Sequence, residues 1–151
     1  MIMILVSSSN SYEVLYNYGT LLIYCGRYKE AQEVLSQALI VGKKQLREDD
    51  ETELDPIRIQ LAYLAFTCGN KQEAEKILTL VLSHPTTSKV ITAIASCNLI
   101  AARGCVDITE GYKRMKSISV DTFNKLTSSQ QEAIRFNKAI LLLLMNRVGY
   151  S

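Results

Sequence analysis

Helix breakers are scarce in this chain: 2 prolines and 7 glycines stand among 151 residues. With much of the apolar content in Leu, Ile and Ala, that scarcity favours a helical class before any motif is read. Histidine occurs once, at His84 before Pro85, which reads as a turn residue at a helix end. HExxH, GxSxG, GxxxxGK and GxGxxG are all missing, so no catalytic machinery is expected. The four cysteines, Cys25, Cys68, Cys97 and Cys105, form no CxxC pair and have no histidine nearby, which argues against a zinc site and against redox chemistry. Reduced thiols are the simplest reading, with Cys25 and Cys68 packing as small apolar groups. No cofactor or metal is implied. Long apolar runs are missing too: Met1 to Val6 is shorter than a signal-peptide core, and Leu141 to Met145 is too short to cross a bilayer. Asn-X-Ser/Thr acceptor sites do not occur. Excess charge of one sign is also missing, because 17 Lys and Arg face 15 Asp and Glu. Bulk electrostatics therefore do not drive binding to nucleic acid.

What the chain does have is an internal repeat. Cys25-Gly26-Arg27-Tyr28-Lys29-Glu30-Ala31-Gln32-Glu33-Val34-Leu35 recurs as Cys68-Gly69-Asn70-Lys71-Gln72-Glu73-Ala74-Glu75-Lys76-Ile77-Leu78, a shift of 43 residues. After each glycine the apolar positions keep helical spacing: Ala31, Val34, Leu35, Ala38 and Leu39, then Ala74, Ile77, Leu78, Val81 and Leu82. Before Gly26, Leu15, Tyr18, Gly19 and Leu22 mark a first helix that the Cys-Gly pair ends. Each unit is thus a helix, a tight turn and a second helix. Gly19 or Ala62 in the first helix and Ala31 or Ala74 in the second supply small residues where the two axes approach to about 8–10 Å. A wider echo links Tyr16–Leu22, Ile59–Ala65, Phe136–Leu142 and, more loosely, Ile94–Ile100, predicting first-type helices over 12–25, 55–68, 87–103 and 129–147.

Two stretches interrupt the pattern. Residues 47–55 place six acids around Arg47, with Pro56 next at a helix start. This reads as a solvated loop whose acids favour the following helix N-terminus, in preference to an acidic surface for a basic partner. Residues 104–126 predict one irregular or shortened helix, and their cations Lys113, Arg114 and Lys116 read as a solvated face in preference to an RNA footprint.

Leu15, Tyr18, Gly19, Leu22, Gly26, Tyr28, Ala31, Leu35 and Ala38 resemble the signature of the tetratricopeptide repeat family; Leu61, Ala62, Gly69, Ala74 and Leu78 carry a fainter copy. The second unit departs from that signature at Arg58, where the family prefers a large apolar residue, and the third lacks a clear second half. The resemblance implies an all-α, tetratricopeptide-type α-solenoid of about three and a half repeats, forming one domain over 1–151. In such folds first helices line a concave side. The residues expected there, off the packing face, are Tyr16, Asn17, Thr20, Tyr24, Ile59, Gln60, Tyr63, Phe66, Asn98, Phe136 and Asn137. Amides can pair with a peptide backbone while Tyr and Phe supply apolar contact; Tyr16, Ile59 and Phe136 could equally pack against neighbouring helices.

A closer likeness covers most of the chain. Tyr12–Asn17, the acidic stretch ending in Asp55-Pro56, Ile94–Asn98 and above all 126–139 resemble the seventy-two-kilodalton subunit family of the signal recognition particle. That resemblance implies a protein scaffold of a cytoplasmic ribonucleoprotein, associated with ribosomes and the endoplasmic reticulum in protein targeting. Its repeats would embrace the carboxy-terminal part of the sixty-eight-kilodalton subunit. RNA contact would lie in a separate basic tail not seen in this sequence, and the chain would be a fragment stopping at Ser151 where a second helix should follow. Other tetratricopeptide folds serve as co-chaperones that capture a short acidic peptide; that use needs cations beside Asn17 and Gln60, where Tyr16, Thr20, Ile59 and Tyr63 stand.

Overall fold

The computed structural model describes residues 11–85, 88–104 and 106–149, the last three by backbone alone. The run Met1 to Val6, Cys105 and Ser151 lie outside the described residues. The described residues are helical, with no strand among them, as the all-α reading expects. The chain divides into two compact units, one up to Ile77 and one from Leu78.

The first unit opens with α1 (Tyr12–Tyr24) and α2 (Tyr28–Gln45). Their turn is a Schellman closure: Arg27 N–H donates to the Leu22 carbonyl at 2.9 Å and Gly26 N–H to that of Ile23 at 3.0 Å. Gly26 takes φ 73°, a left-handed conformation that a side chain would oppose. The same closure recurs after α3 (Asp55–Thr67), where Asn70 N–H donates to the Ala65 carbonyl at 2.8 Å and Gly69 N–H to that of Phe66 at 3.0 Å. The 43-residue shift is therefore a repeat of backbone geometry as well as of letters. Asn70 then caps α4 (Lys71–Ser83), its Oδ1 accepting from Glu73 N–H.

Helix α2 packs on α1 and on α3. Their core holds Leu15, Leu22, Ala31, Leu35, Ala38, Leu54, Ile57 and Leu64, all buried. Gly19 is required by that packing, because a Cβ there would run into the Leu35 side chain. Cys25 and Cys68 do not share in it. Both are exposed, against the packing role expected for them, since each stands at a C-cap where the chain turns outward.

The acidic stretch is not the loop expected, although Glu48, Asp49, Asp50, Glu51 and Glu53 are exposed. Glu48–Leu54 form a 3-10 helix that packs on α2 and α3. Leu54 is fully buried and occupies the space left by Gly42 of α2. Arg58, the departure from the family pattern, is buried with Asp55, and its Nη1 donates to Asp55 Oδ1 at 2.9 Å and to the Glu51 carbonyl at 3.1 Å. Its Nη2 donates to Glu51 Oε1 at 2.6 Å. Tyr12 of α1 adds a hydroxyl donated to Glu53 Oε2 at 3.2 Å. Three of the acids, Glu51, Glu53 and Asp55, are held by specific partners, and with the buried Leu54 they order the segment.

The second unit contains α5 (Lys89–Arg103), α6 (Ile108–Lys116), α7 (Val120–Asn124) and α8 (Ser128–Gly149). Residues 104–126 thus hold two short helices where one is expected. Helix α5 packs on α6, α7 and α8, and α6 on α8. Cys97, Met115, Leu126, Ile134 and Leu141 make the core. All four first-type helices begin and end within two residues of the predicted bounds.

Candidate functional site

Helix α1 carries Tyr16, Asn17, Thr20 and Tyr24 along one strip, with spacings of one, four and eight residues from Tyr16 that repeat on one side of a helix. Leu15, Gly19 and Leu22 take the packing face and turn that strip away from α2. Tyr16 is half-buried against the core, Asn17 is exposed, and Tyr24 is 85% exposed at the helix end. The Thr20 hydroxyl is shielded from solvent and takes no hydrogen-bond partner among the described residues.

Helix α3 supplies the matching strip. Gln60 is half-buried, and Tyr63 and Phe66 are 41% and 37% exposed. Ile59 is only 8% exposed and belongs largely to the packing. Burial raises the pKa of the Tyr63 hydroxyl, and the neighbouring Tyr28 raises it further. The Tyr63 ring still presents to solvent.

In the second unit α5 and α8 bring Asn98 beside Gln130 over an apolar floor of Ile94, Cys97, Ala133 and Ile134, around a small hollow of about 40 Å³. Asn137 is half-buried and donates its Nδ2 to Cys97 Sγ at 3.1 Å. Burial pushes the Cys97 thiol pKa up, while the Asn137 bond pulls it partly back. Phe136, by contrast, is 66% exposed. Ile140 and Leu143 follow it on the same side of α8 and are exposed. The reading of residue types passes over these two, because a Leu-rich run looks like core; their spacing from Phe136 was the available signal.

The segment 126–139, the most distinctive of the sequence, is tied down at several of its residues. Thr127 and Gln130 form a reciprocal capping box, with bonds of 3.0 and 3.2 Å. Gln131 donates to the Phe123 carbonyl at 3.0 Å, and the Arg135 guanidinium lies 5.0 Å from the Phe123 ring centroid.

The strips combine amides, hydroxyls and half-exposed rings. Such a surface can bind an extended polypeptide through backbone hydrogen bonds and apolar contact. Among the described residues no group of three His, Cys, Asp or Glu side chains is placed to hold a metal ion, and no helix is long and apolar enough to cross a membrane.

Comparison with known proteins agrees with the repeat geometry. The tetratricopeptide repeat family model matches residues 12–39, the α1–α2 hairpin. The chain is 33% identical over 148 residues, 93% of its length, to the signal recognition particle subunit SRP72 of Caenorhabditis elegans. It is 28% identical over 145 residues, 91% of its length, to the subunits of that name in Homo sapiens and in Canis lupus familiaris. The chain spans 23% of the worm protein and 22% of the two mammalian ones. No solved structure matches. The hairpin repeated at 43 residues, the matched repeat at 12–39 and the likeness across nine-tenths of the chain agree: the chain carries a tetratricopeptide repeat over 12–39 and is similar to SRP72.

Proposed function

We propose that this chain is a protein-binding scaffold of a signal recognition particle, acting in co-translational protein targeting to the endoplasmic reticulum. Its polar and aromatic strips on α1, α3, α5 and α8 hold the carboxy-terminal part of the sixty-eight-kilodalton subunit. The observation that carries this reading is the similarity to SRP72 over nine-tenths of the chain. Exposed rings and amides at Asn17, Tyr24, Tyr63, Phe66 and Phe136 support it, being side chains the fold does not consume. On this reading the chain acts in the cytoplasm, with the particle at ribosomes and the endoplasmic reticulum, touches RNA indirectly, and catalyses no reaction.

Copurification with the sixty-eight-kilodalton subunit's carboxy-terminal region is expected to yield a stable one-to-one complex. Failure to form any complex overturns the proposal. A co-chaperone-like reading, capture of a short acidic peptide, is weaker: Tyr16, Thr20, Ile59 and Tyr63 flank Asn17 and Gln60, where cations would be needed to clamp a carboxylate.

A further inference from the structure

The second unit holds a pocket separate from the polar-aromatic strips. It is lined by Lys89, Thr92, Ala93, Ser96, Arg114, Ser117, Ile118, Ser119 and Thr122, and its volume is about 240 Å³. We infer that it binds a single phosphate group, either free phosphate or a phosphorylated side chain presented by a partner. The inference goes beyond the scaffold role and does not depend on it.

The lining is of one electrostatic kind. Two cations, Lys89 and Arg114, face the space, and no carboxylate lines it. Ser117 Oγ donates to the Arg114 carbonyl at 2.7 Å and Ser119 Oγ to Thr122 Oγ1 at 2.9 Å, so those two protons are used internally. Thr122 accepts in its bond with Ser119 and keeps its own proton to donate; Thr92 and the buried Ser96 bring two further hydroxyls. Lys89 and Thr92 lie in the first turn of the 15-residue α5, whose amide dipoles also favour negative charge there.

A second observation points the same way. Arg114 Nε is shielded from solvent and has no hydrogen-bond partner among the described residues. Glu110 Oε1 lies 3.3 Å from it but out of line for a bond. With Nε unsatisfied and the side chain 38% exposed, this guanidinium is open to a stronger acceptor than Glu110 supplies. The volume favours a tetrahedral oxyanion together with the group carrying it, since one water occupies about 30 Å³ of the liquid. A polynucleotide is disfavoured because the chain's net charge is only +2 and a strand needs a run of cations.

The test is a titration of the 151-residue chain with inorganic phosphate, at constant ionic strength against chloride, followed by backbone amide NMR. A short phosphoserine peptide and its unphosphorylated twin form the parallel arm. Saturable shifts confined to residues 88–96 and 114–122 are expected, with affinity at least fivefold weaker in Lys89→Gln and in Thr92→Val, both exposed positions that leave the fold intact. The phosphopeptide binding more tightly than phosphate identifies a partner's side chain; the reverse order identifies the free ion. Shifts that fail to saturate, or that persist unchanged in Lys89→Gln, overturn the site. So does a single-stranded RNA oligonucleotide that outcompetes both probes and perturbs Lys113 and Lys116, which line the surface outside the pocket.

Discussion

Asn17 and Asn137 look interchangeable in the sequence, each following an aromatic residue in a first-type helix, yet the structure separates them. Asn17 is exposed, whereas Asn137 is half-buried and bonded to Cys97 Sγ. Asn17→Ala is therefore expected to leave thermal unfolding nearly unchanged, while Asn137→Ala lowers stability by about 0.5–1.5 kcal/mol. Equal unfolding midpoints for the two variants would show the sulfur contact to be energetically empty. The thiols divide in the same way. Exposed Cys25 and Cys68 should react with iodoacetamide at neutral pH, and Cys97 only on unfolding. Because the folded state raises the Cys97 pKa, it holds that proton more tightly than the unfolded chain does. The associated stability is complete below the ordinary cysteine pKa of about 8.5 and is lost as pH rises above it. Denaturant unfolding of Cys97→Ala should accordingly show a flatter alkaline limb than the parent chain.

At the level of elements, the helices were legible and the segments between repeats were not. Turns announced by Gly26 and Gly69, with the apolar spacing around them, are local signals that survive folding unchanged. The 3-10 helix at Glu48–Leu54 depends instead on Arg58, seven residues past Glu51 and on the next helix. Nothing local in a run of acids tells a solvated loop from one wrapped around a buried guanidinium. The placing of Leu54 and Asp55 four and three residues before Arg58 was the only hint. Removing the cation alone should thus be severe. Arg58→Ala removes the buried guanidinium that faces Asp55 and Glu51 and is expected to cost about 3–5 kcal/mol in denaturant unfolding. Arg58→Met combined with Asp55→Leu, which removes both charges and restores apolar volume, should recover most of that loss. A double variant as unstable as the single one would mean that shape, and not charge, holds the insertion. The segment 126–139 teaches the converse: Gln131, Arg135 and Asn137 make it distinctive through contacts within the second unit. Its distinctiveness reports in part how α8 is seated, and Phe136 is the large apolar side chain it leaves facing outward.

For the molecule as a whole, the class of the fold was readable because solenoid units repeat, whereas the binding surface was only half readable. Helical spacing tells which residues leave the packing face; it does not tell how deeply neighbours bury them, and so Ile59 and Tyr24 receive equal weight in the sequence despite exposures of 8% and 85%. Exposure therefore re-ranks the candidates. If a single polypeptide runs over strips in both units, Tyr24→Ala in the first and Phe136→Ala in the second should each weaken binding of the sixty-eight-kilodalton subunit's carboxy-terminal region, by about 1–2 kcal/mol or some fivefold to thirtyfold. Neither substitution touches a buried contact, so both variants should unfold with the parent chain. If the two contacts act independently they should also add, and the double variant, measured by calorimetry, should lose the product of the two factors. A double variant no weaker than Phe136→Ala alone would confine the partner to the second unit, and Tyr24 would then be free for some other contact of the particle.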